Sequence, residues 1–167
     1  MTVQAILAPV FAHVFLIFGL LILLGRRRFA EIGAGRVKTG EIALNERNWP
    51  PKVHAAANAF SNQFEIPVLF FALVPLALYT RKADLLFVVL AWIFVATRAA
   101  HAYVFVTSNH VPTRFRLYSA GVAVLGVMWL IFAFRILLAP LAVLARRALH
   151  RGAIARMEGP SGFGAGV

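Results

Sequence analysis

The sequence predicts an all-α integral membrane protein built as a bundle of four transmembrane helices. Of its 167 residues 61% are hydrophobic and only 14% are charged, where a soluble domain carries roughly 25% charged residues. Mean hydropathy is +0.81. Four stretches are long enough to cross a bilayer: 3–24, 57–79, 84–106 and 117–138. At about 1.5 Å per residue each spans about 30 Å, the thickness of a hydrocarbon core. A helix pairs its own backbone groups in lipid, and these runs lack the alternation of a barrel strand.

Composition narrows the rest. The chain has no cysteine, so it has no disulfide and no thiol of its own, and any thiol chemistry must come from a bound molecule. The net charge of +11 is not accompanied by an aromatic-interleaved basic patch, so no nucleic-acid partner is expected. The basic residues flank apolar spans, where they set topology and attract anionic headgroups.

The first span is read as a retained anchor, because its leading residues are uncharged and Arg26, Arg27 and Arg28 follow the apolar run. His13 is the only polar group deep within it, and a hydrogen bond to a neighbouring helix is its expected role. Residues 26–52 carry seven Lys or Arg against three Glu. The positive-inside rule therefore places this loop in the cytoplasm and the N-terminus on the far side. Four arginines in 141–157 oppose that orientation, but the first loop comes earlier and is more positive.

Trp49-Pro50-Pro51 marks the start of the second helix, since proline suits a first turn and Trp suits the interface. Early in that helix come Asn58, Asn62 and Glu65, at i, i+4 and i+7, a spacing that projects all three from one helical face. Pro67 and Pro75 predict a kink. After a tight turn at 79–84, the third span stays apolar until Arg98 and His101, three residues apart, with Phe105 a further turn along. Arg114 and Arg116 stand at the threshold of the fourth span. The chain thus divides into a four-helix domain, 1–140, and a basic amphipathic segment with a disordered tail, 141–167.

Alternating helix direction brings the ends of the first and third spans and the starts of the second and fourth to one side of the membrane. Arg26 to Arg28, Asn58, Asn62, Glu65, Arg98, His101 and Arg114 would meet there. Such a pocket suits a small anionic ligand that also bears an ammonium group, with arginines on carboxylates and Glu65 on the amine. If the ligand carried a thiol, a nearby Arg would stabilise its thiolate, and an apolar second substrate would arrive through the lipid bilayer. The alternative is a structural Glu65–Arg98 bridge between helices, because a buried carboxylate requires a cation or donors.

Asn62-Gln-Phe-Glu65-Ile-Pro67, then Arg98-Ala-Ala-His101 and Pro112-Thr-Arg114, resemble the MAPEG family, the membrane-associated proteins in eicosanoid and glutathione metabolism, over about 5–140. The resemblance implies a homotrimer of four-helix bundles that holds glutathione between subunits near the cytoplasmic end. It implies a glutathione-dependent transferase or peroxidase acting on small apolar electrophiles, or else a non-catalytic trimeric scaffold. Arg114 matches the arginine that stabilises the thiolate, Asn62 and Glu65 the glutathione-binding amide and carboxylate, and His101 a binding histidine. Asn58, Arg98 and Arg28 complete the candidate cofactor-binding set, and no metal is implied. Two positions depart from the family pattern: Asn58 stands where an Arg is usual, and Phe105 where a Tyr often stands.

Overall fold

A computed structural model describes residues 1–42 and 48–138. Among these are six α-helices: α1 Val3–Gly33, α2 Thr39–Ile42, α3 Pro51–Ser61, α4 Pro67–Tyr79, α5 Leu85–Val106 and α6 Val111–Leu137. The helical stretches Val3–Gly33, Pro51–Tyr79, Leu85–Val106 and Val111–Leu137 are long and apolar enough to cross a membrane. Much of their surface is bare hydrocarbon, with Phe15 72% and Phe115 68% exposed. Lipid, not water, is the solvent that tolerates so much apolar surface. The chain forms two compact units, Met1–Trp129 and Leu130–Val167; of the second, residues 130–138 are described, and α6 runs through Leu137. The segment 141–167 lies outside the described residues.

Helix ends follow local chemistry more closely than hydropathy does. Helix α1 runs to Gly33, so Arg26 to Arg28 lie within it and do not close it, because Arg is a good helix former. Asp84 caps α5 by accepting from the Phe87 amide at 3.0 Å, as a carboxylate at an N-cap does. Helix α6 begins at Val111 with Pro112 in its first turn, earlier than the apolar run suggests. Proline fits there because the missing N–H has no intrahelical acceptor.

The second crossing is broken. A 3-10 turn, Asn62–Phe64, follows α3, and Glu65 leaves helical geometry at φ −90°, ψ −104° before α4 restarts at Pro67. Pro67 cannot donate to the preceding turn, which is where the helix gives way. Pro75 sits inside α4 without ending it.

Helix α1 packs against α3, α4 and α5, and α3 packs against α5. His13, fully buried, bonds through Nε2 to Gln63 Oε1 at 3.1 Å, while Gln63 Nε2 donates to the Ala59 carbonyl at 3.0 Å. This is the interhelical role expected of His13. Phe70, Phe71 and Phe94 surround its ring. At the other end of α1, Arg27 donates to the carbonyls of Lys52 at 2.7 Å and Val106 at 2.9 Å. One guanidinium thereby joins α1 to the start of α3 and the end of α5.

Helix α6 is held to the others by polar contacts. Arg98 on α5 donates through Nη2 to the carbonyls of Leu117 at 3.1 Å and Tyr118 at 3.0 Å. Gly121 gives that guanidinium room, for a Cβ added there would sit 2.6 Å from Arg98 Nη2 and 2.8 Å from Thr97 Oγ1. Further along, Trp129 Nε1 donates to the Leu69 carbonyl at 3.3 Å.

Two outcomes follow. Gly121→Ala lowers the melting temperature in detergent, as overpacking by about 1–3 kcal/mol requires; Gly126→Ala, whose Cβ meets nothing within 4 Å, leaves it unchanged or raises it. Equal melting of the two variants would contradict the Gly121 notch. Arg27→Ala loses two charge-assisted bonds to backbone carbonyls at a cost of about 1–3 kcal/mol, whereas truncating the exposed Arg26 has no measurable effect on melting.

Candidate functional site

A cavity of about 410 Å³ opens where the start of the second crossing meets the end of α5 and the start of α6. One wall comes from α3 and the break that follows it: Asn58, Ser61, Asn62 and Glu65. The facing wall is His101 and Phe105 from α5 with Val111, Arg114, Phe115 and Tyr118 from α6. Five of the seven residues singled out from the sequence, Asn58, Asn62, Glu65, His101 and Arg114, therefore border one space.

The route by which the first wall forms differs from the expected one. A continuous helix would have stacked Asn58, Asn62 and Glu65 on one stripe. Instead the chain leaves helical geometry at Glu65, and the break itself turns that side chain to the cavity. Asn62 is tied back by its Nδ2, which donates to the Asn58 carbonyl at 3.0 Å. Gln63, between the two, points the other way and locks onto His13.

The second wall is ordered by α6. His101 is 3% exposed, and its Nδ1 lies 3.0 Å from the Arg114 carbonyl oxygen. That oxygen can only accept, so Nδ1 carries a proton, and in the neutral imidazole Nε2 presents a lone pair. Among the described residues Nε2 has no partner. The Arg114 guanidinium donates through Nη1 to Asn109 Oδ1 and lies 3.6 Å from the centre of the Phe105 ring. Phe105 thus serves as the aromatic shelf on which the cation rests. Asn109 reaches Arg114 from a left-handed backbone conformation, φ 50°, which Asn tolerates better than most residues.

Two corrections follow. The structural Glu65–Arg98 bridge is not formed: Glu65 is exposed at the cavity and makes no ion pair with the described residues, while Arg98 spends its donors on α6 carbonyls. The reason is depth. Arg98 is 1% exposed, and the helical break lifts Glu65 away from the interior. Neither Arg98 nor Arg28 lines the cavity; Arg28 instead lies 5.2 Å from the Trp49 ring centre.

Sequence reasoning missed Ser61, Asn109 and Tyr118. For Tyr118 a signal existed, since it lies four residues after Arg114 and shares its helical face. For Asn109 there was none, because its contact depends on the turn between α5 and α6.

Comparison with curated proteins and with solved structures finds no match. The sequence pattern that defines the MAPEG family, however, matches residues 6–134, from the first crossing into the last. Four apolar helices, a polar cavity at one end of them and a match over most of the chain lead to one conclusion: this chain belongs to the MAPEG family.

Proposed function

We propose that the protein is a membrane-embedded, glutathione-dependent transferase or peroxidase acting on apolar electrophiles. The observation that supports this best is the convergence of Asn62, Glu65, His101 and Arg114 on one cavity. Its volume of about 410 Å³ lies within the range of small-ligand sites, about 300–1,000 Å³.

The residues present fit glutathione, a thiol-bearing peptide with carboxylates and an ammonium group. Asn58, Ser61 and Asn62 offer neutral donors for a carboxylate. Glu65, with no ion-pair partner among the described residues, takes the ammonium. The free lone pair of His101 Nε2 accepts from a peptide N–H. When bound, glutathione supplies a thiol nucleophile. Arg114, fixed by Asn109 and Phe105, holds negative charge at the sulfur position, and Phe105, Val111 and Phe115 exclude water and strengthen that attraction. The apolar second substrate enters from the bilayer along the exposed side of α6.

The positive-inside rule puts this end of the protein at the cytoplasmic face. Assembly as a homotrimer would enclose the open side of the cavity and offer Arg28 a role in a neighbour's site, as the family suggests.

Titration calorimetry of the detergent-solubilised protein gives binding at millimolar glutathione or below, with an ultraviolet thiolate signal. Arg114→Ala weakens that signal about 10- to 100-fold, as loss of a charged donor worth about 1.5–3 kcal/mol requires. Absence of binding, or a signal indifferent to Arg114, would contradict the proposal.

A further inference from the structure

We infer that the groove between α1 and α5 is a binding site for one anionic phospholipid, with an acyl chain along the groove and the phosphate on the arginines at its mouth. The groove shares no lining residue with the cavity proposed for glutathione, so the two sites stand or fall separately. Leu16, Leu20 and Leu23 of α1 and Ala99, Tyr103 and Val106 of α5 border a hollow of about 550 Å³. It exists because the side chains between them are small: Gly19 adds nothing on α1, and Ala100 and Ala102 keep the α5 side low. Its base is firm, for Leu20 and Ala102 are buried and pack in one cluster with Ala59 and Phe105.

An apolar hollow alone does not name its occupant; the charge at one end does. Leu16, Leu20 and Leu23 lie on one stripe of α1, and Arg26 and Arg27 follow Leu23 at i+3 and i+4, so they continue that stripe beyond the groove. Arg27 is held at the mouth itself. Its Nη2 donates to the carbonyl of Val106, a lining residue, at 2.9 Å, and its Nη1 to that of Lys52 at 2.7 Å. A guanidinium carries five N–H donors, so these two bonds leave others for a ligand. Arg26 is exposed beside it. The next acid along α1, Glu31, is bonded to Arg36 and also acts on Lys52, and neither Arg26 nor Arg27 has a carboxylate partner among the described residues.

Depth fits the same occupant. From Leu16 to Arg27 the helix rises about 16 Å, close to half of a hydrocarbon core about 30 Å thick. One leaflet is the depth an acyl chain reaches when its phosphate lies level with the arginines. Guanidinium groups take phosphate oxygens in pairs, and basic clefts between membrane helices suit anionic headgroups. A zwitterionic lipid has the same tail, but its ammonium opposes the arginines.

The probes are dioleoylphosphatidylglycerol and dioleoylphosphatidylcholine, which share their tails and differ in net charge, added to delipidated protein in an uncharged detergent. Native mass spectrometry reads the lipid retained, and melting temperature is the second readout. Phosphatidylglycerol gives one retained lipid per protomer and raises the melting temperature, whereas phosphatidylcholine binds about tenfold more weakly. Arg26→Gln melts as wild type without lipid and narrows that preference about fivefold, the weight of one cation near a charged headgroup. Gly19→Leu, at a position where a Cβ meets nothing within 4 Å, fills the groove and lowers retention of both lipids; Ala99→Leu serves if that variant fails to fold. Equal retention of the two lipids, or a preference that Arg26→Gln leaves intact, overturns the site. Unchanged retention in the groove-filling variants does the same. A groove-filling variant that changes the number of copies per particle shows a second copy seated in the groove, and this too overturns the lipid site.

Discussion

The structure depends on a cation with nowhere obvious to go. Arg98 is buried at a depth where an unpaired charge is costly, and no carboxylate among the described residues meets it. Two carbonyls of α6 and the faces of Phe94 and Tyr118 receive it instead. Carbonyl dipoles and aromatic quadrupoles are weaker partners than a carboxylate, but they cost less to desolvate. The arrangement works only where α6 comes close enough, and Gly121 is what permits that approach. Distance and rotation of α6 about its axis are thereby set together, and with them the direction in which Arg114 and Tyr118 face.

The opposite wall is shaped by a failure of helix. Between Ser61 and Pro67 the backbone tightens into a 3-10 turn and then opens. Successive residues in that short stretch serve opposite sides: Gln63 enters the core and fixes α1 through His13, while Asn62 and Glu65 face the cavity. Placing a carboxylate at a break, beside solvent, avoids the desolvation that an uninterrupted helix would impose on it. The same stretch anchors the bundle and supplies its cavity-facing acid.

Much of this was legible in the sequence. Four crossings follow from the length of the apolar runs, and a lone His in a span needed a partner on a neighbour, which proved to be Gln63. Alternating helix direction foretold that Glu65, His101 and Arg114 would meet. What escaped has physical reasons. A helical wheel assumes unbroken geometry, so it placed Glu65 too deep and left a bridge to Arg98 standing as the alternative. Backbone carbonyls are present at every residue, so sequence cannot single out Leu117 and Tyr118 as the acceptors of a buried guanidinium. Hydropathy set the start of the last helix at 117, whereas the proline at 112 and the backbone place it at Val111. Asn109 and Tyr118 acquire meaning only once the turn before α6 and its rotation are known.

Because the chain has no cysteine, one introduced thiol reports on one place. Ser61 borders the cavity, while Ser108 is exposed in the turn before α6 and does not line it. Labelling of Ser61→Cys by a charged maleimide, with and without saturating S-hexylglutathione, asks directly whether this hollow receives the tripeptide. The account predicts several-fold slower labelling at position 61 and no change for Ser108→Cys. Equal rates at position 61 with and without the compound would contradict it.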